Sequence, residues 1–409
     1  MKKCRICYST LKKELINLGM SPIANSFIPF KKNNQAETYF PLKVLICNTC
    51  YLAQLDESEK PENIFNNNYA YLSSYSNSWL DHSKKYAEEV IKKYNLTASS
   101  HVVEIASNDG YMLQYFLKHN IKVTGIEPAT NCAEAARKKN IYTENLFFTK
   151  ANASFIVKKH GKANLMIANN VLAHVPNMHD FISGFKIMLS KEGVITFEFP
   201  HLLQLIKNNQ FDTIYHEHYS YLSLKPLIDL FNKHQLRVFD VKNLNTHGGS
   251  LRIYVCHTKA KHLDNTNIVN VLNKETAFGL WKESTYKNFR NQVLLIKENT
   301  IKFFMETRKK NQVIVGYGAP AKGNTFLNYC GIGKDYIQFT VDKSKTKQNT
   351  FLPGTRIPVY DIDKLKTVKP DYIFILPWNI KEEIASQIRN NYDYPVKFVT
   401  AIPKLKIFK

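Results

Sequence analysis

Residues 101–129 read HVVEIASNDGYMLQYFLKHNIKVTGIEPA, and this stretch decides the fold of the chain. Its apolar runs predict two β-strands, at His101–Ile105 and Lys122–Ile126, with a helix at Tyr111–His119 between them. Strand, helix and strand in this order are typical of the βαβ unit of a parallel sheet. Glu127 follows the second strand directly, where a carboxylate can accept hydrogen bonds from two ribose hydroxyls. The stretch therefore predicts a Rossmann-like domain with a nucleoside site.

The turn after the first strand, EIASNDG at Glu104–Gly110, lacks the glycine spacing of a pyrophosphate-binding loop. Only Gly110 would allow a close approach of the backbone to a ligand. A nucleoside that brings no pyrophosphate to this turn fits better, and S-adenosylmethionine is such a nucleoside. Its positive sulfonium and amino group suit the nearby carboxylates of Glu104 and Asp109.

Strands and helices continue to alternate after this unit. Strands are predicted at Asn164–Asn169 and Val194–Phe199, with a helix at Met178–Leu189 between them. This alternation predicts a doubly wound α/β sheet. His174 follows the carboxyl end of a strand, where the ligand sites of such sheets lie, although a lone histidine is as often structural.

The segment IYHEHYS, residues 214–220, concentrates titratable groups shortly after the last of these strands. A metal site is disfavoured, because in an extended segment His216 and His218 point to opposite sides and Glu217 faces away from both. Proton transfer is favoured, since a histidine with glutamate and tyrosine neighbours supplies a base near neutral pH. We therefore expect this segment to cap the ligand-binding edge of the sheet. The residues alone do not decide which histidine is the base.

Two Cys-x-x-Cys pairs stand near the N-terminus, Cys4 with Cys7 and Cys47 with Cys50. This spacing lets four thiolates close a tetrahedral site, for which zinc is the commonest metal. Coincidence and a redox-active pair are the alternatives. A closed site leaves no position for water, so we predict a structural zinc module.

The last third of the chain predicts a second Rossmann-like domain. A Lys-rich helix is expected over 280–310, followed by a strand, a glycine turn and a helix in QVIVGYGAPAKGNTFLNYCGI. A further strand ends at Asp342, and others are predicted at Tyr372–Leu376 and Val396–Thr400.

An NAD site is one interpretation of this domain, because Gly316, Gly318 and Asp342 lie at the spacing of a dinucleotide fingerprint. Against it, Ala321 stands where the third glycine is needed. Lys322 in the same turn indicates an anionic phosphate neighbour. A pure scaffold is the remaining alternative.

The formal charge of +22 over 409 residues would suit a polyanion, but there is no basic arm or Arg-rich stripe. We therefore expect no nucleic-acid partner. No apolar run reaches the roughly 18 residues that span a bilayer, and the N-terminus MKKCRICYST is not of signal-peptide type. These features predict a cytoplasmic protein without a membrane partner.

Several longer strings resemble one family, the sugar C-methyltransferases that act on nucleotide-linked keto-deoxysugars. Beside the four cysteines, the strings that carry the resemblance are YAYLSSYSNSW, EIASNDGYML, GIEPA, NNVLAHVPN, FDTIYHEHYSYLS, HGGSLR and VGYGAPAKGNTF. The resemblance implies a zinc-binding module over 1–65 and an S-adenosylmethionine-dependent methyltransferase domain over 66–275. It also implies that a Rossmann-like domain over 276–409 helps to bind the nucleotide sugar.

The reaction that this resemblance implies is C-methylation alpha to a sugar ketone, expected at carbon 3 of a 4-keto sugar, through a base-generated enolate. The product would be a branched-chain sugar for a surface polysaccharide or a secondary metabolite. The family pattern favours His218 as the base, with Glu217, Tyr215, His174 and Tyr71 at the same site. The nucleotide-linked keto sugar is the expected partner of a monomeric chain.

The resemblance also assigns two sets of binding residues. The expected cofactor-binding residues are Glu104, Ala106, Asn108, Gly110, Glu127, Pro128, Asn169 and Asn170. The expected substrate-binding residues are Tyr71, Ser73, Ser74, His247, Gly248, Arg252, Lys322 and Asn324. Two rival functions remain at this point: an NAD-dependent enzyme on nucleotide sugars and a zinc-ribbon nucleic-acid binder.

Overall fold

The computed structural model describes residues 2–56, 72–392 and 394–409, in which three β-sheets organise the chain. The expected domain boundary at 65/66 and the expected site residue Tyr71 lie outside the described residues. The N-terminal part contributes β1 (Lys13–Pro22), β2 (Ile28–Pro29), β3 (Tyr39–Ile46) and β4 (Ala53–Leu55). β1, β3 and β4 form an antiparallel sheet.

The middle part of the chain is built around a seven-stranded sheet. Its elements are α1 (Asn77–Lys93), β5 (His101–Ile105), α2 (Leu113–Leu117), β6 (Lys122–Ile126), α3 (Thr130–Arg137), β7 (Thr143–Glu144), α4 (Lys150–His160), β8 (Ala163–Asn169), α5 (Met178–Met188), β9 (Leu189–Pro200), α6 (Leu202–Lys207), β10 (Ser220–Tyr221), α7 (Leu224–Lys233), β11 (Leu236–Leu244), β12 (Ser250–His257) and α8 (Asn267–Ala277). The strand order is β11-β12-β9-β8-β5-β6-β7, with β5, β6, β7, β8 and β9 parallel and the other two strands antiparallel.

The central strand β5 shows why this segment folds as predicted. Both faces of a doubly wound sheet are covered, so every residue of such a strand is buried. Val102 packs on one face in a core cluster with Tyr86 of α1, whereas Val103 packs on the other with Phe185 of α5. The predicted α/β class of this domain is confirmed. Helix α2 is shorter than expected at both ends, and Asn120, with a φ of +56°, then turns the chain towards β6.

The C-terminal part holds the second predicted α/β domain. Its elements are α9 (Glu283–Lys309), β13 (Ile314–Tyr317), α10 (Ala321–Cys330), β14 (Thr340–Val341), β15 (Thr350–Phe351), β16 (Pro358–Tyr360), β17 (Tyr372–Ile375), α11 (Lys381–Asn391), β18 (Lys397–Thr400) and β19 (Lys406–Phe408). The strand order is β19-β18-β17-β13-β14-β16-β15-β2, and the core of this sheet, β18-β17-β13-β14-β16, is parallel.

Two short strands join the three parts of the chain. β2 comes from the N-terminal part but pairs with β15 of the C-terminal sheet. β10 comes from the middle part but pairs with β4, so that Ser220 lies opposite Gln54. The segment IYHEHYS is therefore held between the N-terminal module and the middle domain. Within the described ranges, no helix is both long and apolar enough to cross a membrane.

Candidate active site

A cavity of about 530 Å³ lies at the carboxyl edge of the seven-stranded sheet, within the size range of small-molecule sites. Its lining combines residues of all three parts of the chain: Asn25 before β2, Glu127 after β6, and Lys322 at the start of α10. The sheet brings the ends of its parallel strands to one edge, which is why residues far apart in sequence meet here.

Glu127 is fixed at the end of β6 by the backbone around it. Its Oε2 accepts a hydrogen bond from the Asn108 N–H at 2.9 Å, and its Oε1 accepts one from the Ala129 N–H at 2.8 Å. Burial raises the pKa of this carboxyl to about 7. Each carboxylate oxygen has a second lone pair. The residue can therefore accept hydrogen bonds from a pair of ribose hydroxyls, as predicted.

Three residues of the turn between β5 and α2 have left-handed backbone conformations. Ala106, Asn108 and Gly110 have φ values of +54°, +48° and +76°. At Gly110 a Cβ atom would collide with the Ile141 side chain, and the positive φ also favours glycine there. The Oδ1 of Asn108 accepts a hydrogen bond from the Ser73 N–H at 2.9 Å, which draws the segment before α1 over the turn.

Six of the expected cofactor-binding residues line the cavity, and two do not. The six are Ala106, Asn108, Glu127, Pro128, Asn169 and Asn170. Glu104 is fully buried within β5, and Gly110 lies behind the turn; neither reaches the cavity lining. The cavity is also lined by three residues that follow β7: Phe147, Phe148 and Thr149. They belong to no recognised motif, so they were not predicted from the sequence.

The segment 214–218 folds as a turn rather than an extended strand, with the His218 N–H donating to the Tyr215 carbonyl at 2.9 Å. The ring of His218 is held at both nitrogens. Its Nδ1 lies 2.9 Å from the Thr213 carbonyl, which can only accept, so Nδ1 carries the proton. Its Nε2 is therefore an acceptor, and the Tyr215 hydroxyl donates to it at 2.8 Å.

The two imidazoles at this end of the cavity are held neutral. Nδ1 of His174 donates to the Glu217 carbonyl at 2.6 Å, and the ring centroids of His174 and His218 are 4.7 Å apart. Burial lowers the pKa of His174 to about 4 and holds the pKa of His218 well below its usual value. A neutral histidine with an accepting Nε2 is the protonation state that a general base requires.

Glu217 lines the same cavity and is 2% exposed. Its Oε2 accepts a hydrogen bond from Nδ2 of Asn25 at 2.6 Å. Burial raises the pKa of the carboxyl to about 7, against the opposing effects of the Asn25 hydrogen bonds and of the charge on Lys347. Asn25 was not among the predicted site residues, because the N-terminal module was expected to be structural only.

His216 is directed away from the cavity. Its Nε2 lies 3.2 Å from the Pro41 carbonyl, and its ring packs edge-on against Phe40 at 5.8 Å. His216 does not line the cavity, whereas His218 does. The sequence alone did not decide which of the two histidines is the base. In the structure only His218 of this pair is placed to act on a ligand in the cavity.

The cavity lining also carries a third imidazole and two lysines. His247, in left-handed backbone with a φ of +52°, accepts a hydrogen bond from Asn170 Nδ2 at 3.2 Å. Nζ of Lys322 donates to Asn379 Oδ1 at 2.6 Å and lies 4.6 Å from the Trp378 ring. Lys347 lines the cavity as well and donates to the Ala319 carbonyl at 2.8 Å. The C-terminal domain therefore contributes two cationic groups to the cavity lining.

Four expected substrate-binding residues lie outside the cavity lining: Ser74, Gly248, Arg252 and Asn324. The hydroxyl of Ser74 donates to Asp109. Arg252 is buried in an ion pair with Glu198 at 2.6 Å. Asn324 donates from Nδ2 to the Ala24 carbonyl at 2.6 Å. Ser73, His247 and Lys322 do line the cavity, whereas Tyr71 is not among the described residues.

The four N-terminal cysteines come together in space, with all four sulfurs within 4.8 Å of one another. Sγ of Cys4 is 3.4 Å from that of Cys50, and Sγ of Cys7 is 3.4 Å from that of Cys47. A tetrahedral zinc site with Zn–S bonds of ~2.3 Å needs sulfurs about 3.8 Å apart, so the set fits zinc. No cysteine of this set lines the cavity, which agrees with a structural metal.

Three family profiles match successive parts of the chain. A family profile described as a zinc binding domain matches residues 4–65, and one described as a methyltransferase domain matches 79–241. A third, the C-methyltransferase C-terminal domain, matches 245–403. The C-methyltransferase NovU of Streptomyces niveus is 32% identical over 405 residues, which cover 99% of this chain and 96% of NovU.

Solved methyltransferase structures match part of this chain at low identity. A SAM-dependent methyltransferase from Anabaena variabilis is 14% identical, matches 45% of this chain and 93% of its own, and has a TM-score of 0.36. Magnesium protoporphyrin IX methyltransferase from Synechocystis, solved with bound SAM, is 11% identical over 44% of this chain and 79% of its own, with a TM-score of 0.34. Likeness at this level concerns the chain fold alone. The family matches confirm the predicted C-methyltransferase resemblance and the two predicted cofactors, S-adenosylmethionine and zinc.

Proposed function

This chain belongs to the C-methyltransferase family that includes NovU, and we propose that it methylates a nucleotide-linked keto-deoxysugar at the carbon alpha to the ketone. In a 4-keto sugar this position is carbon 3. The observation that carries the proposal is the Tyr215–His218 pair, whose accepting Nε2 lies in the same cavity as Glu127. A base and a nucleoside-binding carboxylate in one cavity suit a reaction that removes a proton before methyl transfer.

The first step is proton removal from the alpha carbon. Once the Tyr215 hydroxyl has turned away from Nε2, the freed Nε2 lone pair of His218 takes the proton, and the electron pair of the broken C–H bond moves onto the ketone oxygen to form an enolate. The Tyr215 hydroxyl, no longer needed to donate to Nε2, can then donate to the enolate oxygen and accept from the imidazolium. Such a donor lowers the energy of the developing oxyanion most in a site shielded from water.

The second step forms the new carbon–carbon bond. The bound cofactor supplies an electrophilic methyl group on its sulfonium. Ala106, Asn108 and Glu127 would hold this cofactor, which would give its methyl group to the enolate carbon and leave as the neutral thioether. His218 then releases its proton to solvent, which restores the neutral ring. Glu127 orients the nucleoside for this step, since a misplacement of about 1 Å costs on the order of 10²-fold in rate.

The two lysines support a nucleotide-linked substrate. Lys322 and Lys347 line the cavity on the C-terminal side, and both are held by neutral oxygens, of Asn379 and of the Ala319 backbone. Lys322 also interacts with the charge of Asp212, and Lys347 with that of Glu217. Both ammonium groups nevertheless line the cavity, where a diphosphate could bind to them. Burial lowers the pKa of Lys322 against the opposing charge of Asp212, and an anionic ligand would raise this pKa again. The product would be a branched-chain sugar for a surface polysaccharide or a secondary metabolite.

The test is an assay of the purified chain with S-adenosylmethionine and a panel of nucleotide-linked 4-keto sugars, read by mass spectrometry. A mass gain of one methyl group, lost when the sugar is already methylated at carbon 3, supports the proposal. NAD co-purifying with the chain and hydride transfer to a nucleotide sugar would replace it with the dehydrogenase alternative. Co-purified nucleic acid would favour the binding-protein alternative.

A further inference from the structure

Asn25 belongs to the N-terminal module, yet it contacts the carboxylate at the centre of the cavity. Its Nδ2 donates to Oε2 of Glu217 at 2.6 Å, and its backbone N–H further favours the ionised form of this carboxyl. Both residues line the cavity. A hydrogen bond of this length to an ionised acceptor is of the strong, charge-assisted kind.

Asn25 is held in turn by the C-terminal domain. Nδ2 of Asn324 in α10 donates to the Ala24 carbonyl at 2.6 Å, and Asn324 is 1% exposed. The neighbouring Thr325 donates from its hydroxyl to the Ile214 carbonyl at 3.0 Å, at the start of the turn that carries Glu217. One helix therefore fixes both the donor segment and the acceptor turn.

The amide of Asn25 suits this position chemically. A buried carboxylate that lacks hydrogen bonds carries a large desolvation cost. An amide donor stabilises the charge without neutralising it as a lysine would. Among the described residues, Oε1 of Glu217 has no hydrogen-bond partner, so one oxygen is bound by Asn25 and the other is left to accept from a ligand.

We infer that Asn25 is a positioning residue: it holds the Glu217 carboxylate so that Oε1 can accept a hydrogen bond from a hydroxyl of the bound sugar, and Asn324 acts through it. The inference rests on the proposed function for the identity of the ligand. The hydrogen bond itself is independent of that identity. A module expected only to bind zinc thus supplies part of the active site.

The first test needs no substrate. The ionisation of Glu217 is followed by infrared difference spectroscopy against Glu217→Gln as the pH is varied. Asn25→Ala removes a donor that favours the ionised form, so the pKa of Glu217 should rise. Asn34→Ala, an exposed asparagine of the same module, is the matched control and should leave this pKa unchanged. The other titratable groups lining the same cavity are His174, His218, His247, Asp180, Glu127, Tyr111, Tyr215, Lys322 and Lys347. An unchanged pKa in Asn25→Ala overturns the inference.

The second test uses turnover. Asn25→Ala should lower kcat on the order of 10²-fold, as for a misplaced catalytic group, with S-adenosylmethionine affinity unchanged. Asn25→Ala combined with Glu217→Gln should be no slower than Glu217→Gln alone, since both act through one carboxylate. Additive losses overturn the inference. If no keto sugar is methylated by the wild-type chain, the proposed function fails, and the pKa of Glu217 still decides the role of Asn25.

Discussion

The hydroxyl of Tyr215 donates a hydrogen bond to Nε2 of His218 over 2.8 Å, while Nδ1 of the same ring donates to the Thr213 carbonyl over 2.9 Å. One imidazole is thereby locked in the tautomer that can take a proton at Nε2. Burial keeps this ring neutral. Tyr215 and His218 therefore act together. Replacing either residue should slow the same step, the removal of the alpha proton.

His218→Asn should abolish both methylation and the exchange of the alpha hydrogen with heavy water, because no other group is placed to take that proton in the proposed mechanism. A positioned base contributes about 10²–10⁴ in rate. Tyr215→Phe keeps the ring but removes the hydroxyl, and should slow exchange as well. Deuterium incorporation into the sugar nucleotide, with S-adenosylhomocysteine present, measures this step alone.

His216→Asn is the control for this prediction. His216 contacts Pro41 and Phe40 outside the cavity, so its replacement should be milder. Cofactor affinity should persist in both histidine variants. An inactive His216→Asn beside an exchanging His218→Asn would contradict the assignment, and His174 would be the next residue to test.

Glu127→Ala should weaken the binding of S-adenosylmethionine by about 1.5–3 kcal/mol, the range for lost charge-assisted hydrogen bonds. The carboxylate sits at the end of β6 with both oxygens oriented by backbone N–H groups. Titration calorimetry gives the affinity directly. Glu134→Ala, on the exposed side of α3, is the matched control. Unchanged affinity in Glu127→Ala would place the ribose elsewhere.

The affinity for S-adenosylmethionine should also depend on pH through Glu127. Burial raises the pKa of this carboxyl to about 7, and the ionised form accepts two hydroxyl donors better than the protonated form. Affinity should therefore fall as the pH drops through about 7 and level off above it. Glu127→Gln cannot ionise and should lack this component. If the affinity for S-adenosylmethionine varies with pH in the same way in wild type and Glu127→Gln, another group causes the dependence.

Local sequence pattern predicts the middle domain well. The bounds of β5 and β6 agree with the predicted strands, because a strand covered on both faces is mostly apolar. The pairing of β2 with β15 and of β10 with β4 involves two residues on each strand and partners far away in the chain. The spacing of apolar residues along the chain carries no information about such distant contacts. The sequence therefore did not predict how the three parts of the chain are joined.

The same limit applies to the site. The density of titratable groups in IYHEHYS indicates chemistry without any structure, and His218, Glu217 and Tyr215 do line the cavity. Asn25 stands in the unremarkable string SPIANSF and was missed. Arg252 was predicted to bind the substrate because HGGSLR resembles a string of the family. Such a resemblance cannot distinguish a ligand contact from a buried ion pair with Glu198 on the neighbouring strand.

Arg252→Met should lower stability rather than substrate affinity. Nη2 of Arg252 lies 2.6 Å from Oε2 of Glu198, both residues are buried, and the guanidinium lies 4.2 Å from the Tyr86 ring. Removing one partner of a buried pair leaves an uncompensated charge and costs about 3–5 kcal/mol. Urea unfolding measures this loss. Arg252→Met with Glu198→Gln should recover part of it, whereas a raised KM with intact stability would support a substrate contact.

The pH dependence of this pair has a definite sign. Burial alone would raise the pKa of Glu198, but hydrogen bonds and charge from His82 and Arg252 hold it at about 2. A carboxyl with a depressed folded-state pKa contributes stability that is fully present above its unfolded pKa of about 4.3. That contribution should be lost as the pH falls towards about 2. The difference in stability between wild type and the double variant should shrink over this range.

Arg5, between the metal ligands Cys4 and Cys7, connects the zinc module to the catalytic turn. Its backbone N–H donates to Gln54 Oε1 at 2.9 Å, and its Nη1 donates to the Tyr219 carbonyl at 2.9 Å. Gln54 in turn lies opposite Ser220 where β4 pairs with β10. The loop that binds the metal thus holds the chain directly after His218.

Removal of the metal should therefore loosen the turn as well as the module. Elemental analysis should find one zinc per chain, and a chelator or Cys47→Ser should unfold the module, because much of its folding energy is metal-binding energy. Amide hydrogen exchange should then rise in residues 214–221, which lie far from the metal in sequence. Arg5→Ala is the matched variant: it should retain zinc and raise exchange in 214–221 while the module stays protected. A metal-free chain of equal stability would refute the zinc prediction, and unaltered exchange in 214–221 after zinc loss would show that the turn does not depend on the metal.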